Sequence, residues 1–330
     1  MFGDVLSSKR HCFLKGNSMK LATYDYHHAV SCGILTNEGF IDIPSHTQGA
    51  KRLHSVKEIL IKGQKALEIL QELQHSVQER IKPDHIKLRA PIPHPGKVIG
   101  LAGNYRKHLE ETAWQDGTFD DQAVKTNPWP FLMPASVITG HQTVIPWPVY
   151  SQQIDYEIEL AVFIGDNASK ITPQQALSYI AGYSIANDIS ARSVTFKQGR
   201  KERPRDVFFD WMMGKWADGF LPLGPWLVTA DEINDPQNLD MELKVNGQTR
   251  QKANTSQMIF TIAQIVSFIS HLMTLEPGDV IITGTPHGVA TADGSYLHPG
   301  DIVECTIQHL GTLTNTIGAK PDNFYRAFIQ

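Results

Sequence analysis

Two glutamates one residue apart, Glu157 and Glu159, run into a wholly apolar stretch, Leu160-Ala161-Val162-Phe163-Ile164. In a strand, residues i and i+2 point to the same face, so both carboxylates project together. A Glu-x-Glu pair on the wet face of an edge strand is ordinary surface decoration. The apolar sequel argues otherwise, because an edge strand does not expose Ala-Val-Phe-Ile. Two like charges side by side in a buried setting repel and lose hydration at large cost. A divalent cation offsets that cost. Asp188 closes a second apolar run, Ile180 to Asn187, and supplies a third oxygen ligand. Three carboxylates with no Cys or His beside them favour a hard ion over zinc: Mg²⁺, with Mn²⁺ or Ca²⁺ as alternatives.

Composition narrows the function classes. Lys and Arg number 30 against 34 Asp and Glu, a net charge of −4. That argues against electrostatic binding of nucleic acid. No apolar run approaches a membrane span. The cysteines, Cys12, Cys32 and Cys305, are odd in number and far apart. They read as reduced thiols of a cytoplasmic protein, not as a disulfide framework. Residues 1–18 are basic without an apolar core, so they read as a tail, disordered or upstream of the true start, and not as a signal peptide.

Strand patterns over 20–26, 29–35 and 40–43 precede helical spacing of Val56, Ile59, Leu60, Leu67, Leu70, Leu73 and Val77, with Gly63 as a break. Pro91, Pro93 and Pro95 then mark a linker. This gives a small β-then-α unit at 19–93 and a larger domain at 94–330. In the larger part, Asn246-Gly247 between alternating segments predicts a hairpin. Pro277-Gly278 and Pro299-Gly300 each precede an apolar strand. Helices are few: one is predicted over 173–181 from a Thr172 cap, another over 262–273. Without regular βα alternation, the class is α+β with a large mixed sheet.

Further groups carry chemistry. His108 and Glu111, spaced i, i+3, meet on one helical turn, where a carboxylate orients an imidazole that can activate water. A surface turn with a salt-bridged histidine is the plain alternative. Arg192 lies one turn past Asp188 and suits either a substrate carboxylate or an ion pair with Asp188 or another acid. Lys215 sits among tryptophans, either snorkelling or desolvated. The basic stretch from Lys197 to Arg205 reads as a flap over a site or as a solvated loop. Gly284-Thr285-Pro286-His287-Gly288-Val289 follows a buried strand, and its backbone N–H groups can meet an anion. Walker, dinucleotide and serine-elbow motifs are missing.

The ordered set Gly103-Asn104-Tyr105 with His108 and Glu111, Glu157-Ile158-Glu159, Asp188-Ile189-Ser190-Ala191-Arg192, Gly214-Lys215, Val245-Asn246-Gly247, Thr255 to Phe260, and Pro277 to Pro286 resembles the fumarylacetoacetate hydrolase superfamily. The small N-terminal unit resembles an accessory domain of its bacterial members. The resemblance implies a β-rich roll of mixed sheets with few short helices, plus a small N-terminal α+β domain. It implies a homodimer that holds Mg²⁺ or a similar ion on Glu157, Glu159 and Asp188. His108 and Glu111 would form the water-activating dyad on a short helix that orders with substrate. Lys215 and Arg192 would contact the substrate or its oxyanion. Thr285 and Tyr105 would bind substrate.

Members of this superfamily cleave C–C bonds in acylpyruvates and β-diketo acids; others isomerise or decarboxylate 2-oxo acids. The expected activity is therefore metal-dependent C–C hydrolysis of a small 2,4-dioxo acid. The alternatives are an isomerase, tautomerase or decarboxylase of the same family, or a catalytically silent metal-binding scaffold. Thr195 and Met133 stand where many members carry Gln and Lys, which bears on substrate choice more than on the ion.

Overall fold

In a computed structural model, the described residues are 18–112 and 126–327. The expected tail lies outside them except for Ser18, as does Cys12. Three antiparallel strands open the chain: β1 (Lys20–Tyr26), β2 (Ala29–Thr36) and β3 (Gly39–Asp42). Helices α1 (Val56–Lys62) and α2 (Gln64–Ser76) follow. Ser55 caps α1 by accepting the Glu58 N–H, and Gly63 at φ 55° separates the helices. Both bury one apolar stripe: Val56, Ile59 and Leu60, then Ala66, Leu67, Leu70 and Leu73.

The rest of the chain is sheet-rich. Strands β4 (Val98–Ala102), β5 (Trp129–Met133), β6 (Ile158–Ile164), β7 (Ile180–Asn187), β8 (Leu221–Thr229) and, later, β11 (Val280–Ile282) join the first three. The spatial order is β3-β2-β1-β8-β7-β6-β11-β4-β5. Pairing is antiparallel along this path except between β11 and β4. A second sheet contains the hairpin β9 (Asp240–Val245) and β10 (Gln248–Asn254) with β12 (Ile302–Ile307) and β13 (Gly311–Ile317). Asn246 and Gly247, both at positive φ (51° and 76°), make the two-residue turn that the Asn-Gly pair predicts. The fold is α+β with mixed sheets, as expected.

The large sheet is covered on both faces. Along β6, Leu160, Val162 and Ile164 pack in one core, and Ala161 and Phe163 in the other. The first core also takes Leu243 and Val303 of the second sheet, and the stripe Ile262, Ile265, Val266 and Ile269 of α5 (Ile262–Leu272). The second core takes the helices α1 and α2. Every residue of β6 and β7 is buried, so neither is an edge. One helix is shorter than its pattern suggests. The segment from Pro173 is α-helical only to Ala176, with a capping box from Thr172 and Gln175, then a tighter turn to Tyr179. Ile180 and Ala181 are already strand, because pairing with β6 claims that apolar run. Among the described residues, no helix is long and apolar enough to cross a membrane.

The first strands are hydrogen-bonded into the large sheet, with Leu21 opposite Leu227. Leu21 is fully buried and shares a core with Leu227 and Phe163. Leu21→Ala should cost about 2–5 kcal/mol. Urea denaturation should show one cooperative transition that moves as a whole. A separate early transition for the N-terminal residues would contradict this shared core.

Candidate active site

The register of β6 against β7 builds the centre. Ile158 pairs with Asn187, so Glu157 and Asp188, the residues just beyond, become neighbours. The Asp188 N–H donates to the Glu157 carbonyl at 2.9 Å, and the Asn187 side chain accepts the Glu157 N–H. Glu157, Glu159 and Asp188 are all buried, and one carboxylate oxygen from each lies within 4.8 Å of the others. Lys215, 2% exposed, places its Nζ 2.6 Å from both Glu157 and Asp188. Arg192 donates through Nη2 to Glu157 and through Nε to Asp155 at 3.0 Å. Of the two readings of Arg192, the ion pair is realised, with Asp155 and Glu157 as its acids.

Four buried carboxylates thus face two cations, a balance of −2 when all are ionised. Burial alone would raise Glu157, but the Lys215 ammonium and the Arg192 guanidinium hold it down at about 2. Burial raises Asp188 to about 6, with Lys215 offsetting only part of that. Burial and the charges of Asp188 and Glu157 push Glu159 well above the usual carboxylate range. Asp188 Oδ1 is buried without a hydrogen-bond partner. An unsatisfied buried carboxylate oxygen, two unused negative charges and an all-oxygen donor set fit a divalent hard cation. Glu157, Glu159 and Asp188 are the residues that would hold it.

The dyad is anchored from two sides. Asn104, fully buried, donates to the Thr283 carbonyl at 2.8 Å and accepts the Phe260 N–H. It fixes the start of α3 (Arg106–Glu111). On that turn His108 Nδ1 lies 3.1 Å from Glu111 Oε1. Glu111 in turn accepts the Gly288 N–H at 2.8 and 3.0 Å, one contact to each oxygen. Nδ1 as donor to Glu111 leaves Nε2 as the basic nitrogen. The anions met by the glycine-rich loop are therefore the protein's own: Gly284 N–H donates to Glu159 at 2.6 Å, and Gly288 to Glu111. Neither glycine is replaceable without movement. Gly284 (φ 91°) would place a Cβ 2.7 Å from that of Asn104, and Gly288 (φ 99°) one 2.3 Å from the Arg250 carbonyl.

A cavity of about 280 Å³ joins these groups; its wall includes His108, Glu157, Glu159, Asp188, Arg192, Lys215 and Thr285. Tyr105 is not brought to it. Its ring is buried and its hydroxyl donates to Met241 Sδ at 3.4 Å, because the strand-like entry into α3 turns it into the core. Thr195 and Met133 also stand outside the wall. Thr195 donates to the Tyr150 and Tyr325 carbonyls, and Met133 packs in the core opposite Val98. Phe131, two residues before Met133, lines the cavity instead. The basic stretch pairs with its own following helix, α4 (Asp206–Met213): Arg200 with Asp210, Arg203 with Asp206. Only Trp211 of that helix reaches the cavity wall.

Sequence reasoning missed Asp155 and Gln251. Asp155, fully buried, accepts the N–H groups of Ala290 and Thr291 as well as Arg192. Its signal was a third acid in the same short string. Gln251 accepts the Ile158 N–H and donates to Thr285 Oγ1 at 2.9 Å and the Pro286 carbonyl. Nothing in its polar strand sequence marks it.

Two outcomes are expected. Mg²⁺ or Mn²⁺ at 100 times its dissociation constant should stabilise the fold by about 2.7 kcal/mol, read as a rise in Tm. That rise should shrink below a pH of about 6, where protons on Asp188 and Glu159 compete with the ion. A rise independent of pH would place the ion elsewhere. Asp155→Ala leaves the Arg192 guanidinium and two backbone donors without their acceptor, and should cost about 3–5 kcal/mol in urea denaturation.

Comparison with known proteins agrees with this geometry. Residues 97–318 match the family described as fumarylacetoacetate (FAA) hydrolase C-terminal. An oxaloacetate tautomerase of Xenopus laevis, named as mitochondrial, is 37% identical over 264 residues, 79% of this chain and 78% of that one. A 2,4-didehydro-3-deoxy-L-rhamnonate hydrolase of Sphingomonas is 39% identical over 225 residues, 67% of this chain and 73% of that one. A maleylpyruvate hydrolase of Sphingobium, solved in complex with manganese(II) ion and pyruvate, superposes with a TM-score of 0.70 at 27% identity, covering 92% of this chain and all of that one. By their names, these relatives act on small oxo acids. With the match spanning β4 to β13 and both halves of the cavity, the chain belongs to the fumarylacetoacetate hydrolase family.

Proposed function

We propose that the protein is a divalent-metal-dependent hydrolase of the C3–C4 bond of a small 2,4-dioxo acid, an acylpyruvate or a fumarylacetoacetate-like compound. One observation carries this reading: His108, paired with a Glu111 that Gly288 clamps, lines the same cavity as the three carboxylates. Mg²⁺ or Mn²⁺ held by Glu157, Glu159 and Asp188 would supply a Lewis acid for the 2-oxo carboxylate. His108 Nε2 takes a proton from water, and Glu111 keeps the ring in the required tautomer and steadies its charge. The hydroxide oxygen bonds to C4. Lys215 has two N–H donors on Glu157 and Asp188, and its third is free for the oxyanion that forms at C4. The C3–C4 bond then breaks, and its electron pair passes to C3 and the C2 oxygen. Protonation at C3 gives pyruvate, and C4 leaves as a carboxylate. Thr285, held by Gln251, lines the cavity and would bind the substrate carboxylate.

A second reading is favoured by the name of the Xenopus relative: tautomerisation of a 2-oxo dicarboxylate. That reaction moves a proton between C3 and the C2 oxygen and consumes no water. The family match starts at residue 97, and we read residues 19–93 as an accessory unit docked on the catalytic sheet. Cys32 and Cys305 are buried and unpaired, which suits a reducing compartment, the cytoplasm or the mitochondrial matrix.

His108→Asn should lower pyruvate release from acylpyruvates by about 10²–10⁴-fold, with Mn²⁺ affinity almost unchanged. Collapse of Mn²⁺ binding in this variant would make His108 a ligand. Enol–keto interconversion of oxaloacetate without pyruvate release from any acylpyruvate would establish the second reading in place of the first.

A further inference from the structure

A second hollow adjoins the cavity. Ala102, Phe131 and Trp211 line the cavity and also line this hollow of about 540 Å³, which opens at the surface. The rings stand between the two hollows and run toward the surface: Phe131 meets Trp211 edge-on at 5.0 Å, and Trp211 meets Phe208 at 6.0 Å. Beyond them Trp129, Phe208 and Leu272 are 45%, 51% and 56% exposed. Among the described residues, none that lines this hollow carries a charge. Large apolar side chains grouped in the open beside a polar pocket mark a place where apolar ligand surface is buried.

The charged end of the cavity is already assigned. Arg192 and Lys215, the cations of its wall, lie against Asp155, Glu157 and Asp188. A substrate that reaches from this end into the hollow meets no cation among the described residues there. A second carboxylate at its far end would lose hydration without a partner. An alkyl or aryl group would gain by burial.

We propose that the aromatic hollow receives the acyl tail of the substrate, and that this tail is apolar and extended, as in an alkanoyl- or aroylpyruvate. The inference rests on the dioxo-acid reading of the cavity. It sets the chain apart in specificity from enzymes whose substrates end in a second carboxylate.

The test uses the Mn²⁺-loaded protein and two series. In the first, kcat/KM is measured for acetyl-, butanoyl-, hexanoyl-, benzoyl- and fumarylpyruvate. It should rise at least tenfold from acetyl to hexanoyl, within the roughly fourfold that each fully buried methylene allows. Fumarylpyruvate should fall below benzoylpyruvate. Phe208→Ala and Leu272→Ala, both changes of exposed side chains, should flatten the series chiefly through KM. In the second series, binding of pyruvate, 2-oxohexanoate and 2-oxooctanoate is measured by calorimetry, which does not depend on hydrolysis. Tighter binding with length, lost in Phe208→Ala, without cleavage of any acylpyruvate, would uphold the tail site and overturn the hydrolase reading. Cleavage of every acylpyruvate at equal kcat/KM would uphold the hydrolase and overturn the tail site. Equal kcat/KM with Phe208→Ala altering only the sedimentation coefficient would assign the hollow to contact between two copies, and would also overturn it.

Discussion

Four buried carboxylates facing two cations set the terms for the rest of the structure. Asp155, Glu157, Glu159 and Asp188 sit at the ends of two fully buried strands, where water does not screen them. Several neighbouring elements supply a positive charge or an N–H group. Lys215 arrives just after α4, Arg192 just after Asp188, and Gly284, Ala290 and Thr291 give backbone donors from one connection. The remaining deficit falls on Asp188 and Glu159. Such a cluster opposes folding when empty, so the protein carries a local debt that ligand binding repays. The two-faced packing of the large sheet gives the surplus stability that tolerates it.

The division of labour between the cations follows from the same accounting of charge. Arg192 offers a flat fork, and it bridges Asp155 and Glu157 at fixed angles. Lys215 offers a point charge with three donors, two of them committed. The first suits a permanent scaffold. The second keeps one donor uncommitted to the carboxylates.

Much of this was legible in the sequence, for reasons that differ by residue. Glu157, Glu159 and Asp188 were legible because charge inside an apolar strand pattern is costly and therefore informative. The hairpin at Asn246-Gly247 was legible because positive φ restricts residue choice. His108 and Glu111 were legible through helical spacing, although the spacing does not reveal Gly288, which lies far along the chain and fixes Glu111. Gln251 was invisible, since an amide in a polar strand carries no local mark. Tyr105, read as a substrate-binding residue, turns into the core, and Thr195 and Met133 stand off the cavity wall, because their side-chain directions depend on tertiary turns. The helix from Pro173 stops early for a similar reason: pairing across the sheet outweighs local propensity.

The loop from Gly284 to Gly288 holds Glu159 at one end and Glu111 at the other. Both glycines are confined by what a Cβ would strike. The loop is thus a bracket between the buried carboxylate cluster and the His108–Glu111 pair. A shift of its backbone displaces both at once. A change that loosens the bracket would therefore disturb the carboxylate cluster and the histidine pair together, whereas a change at His108 alone would not.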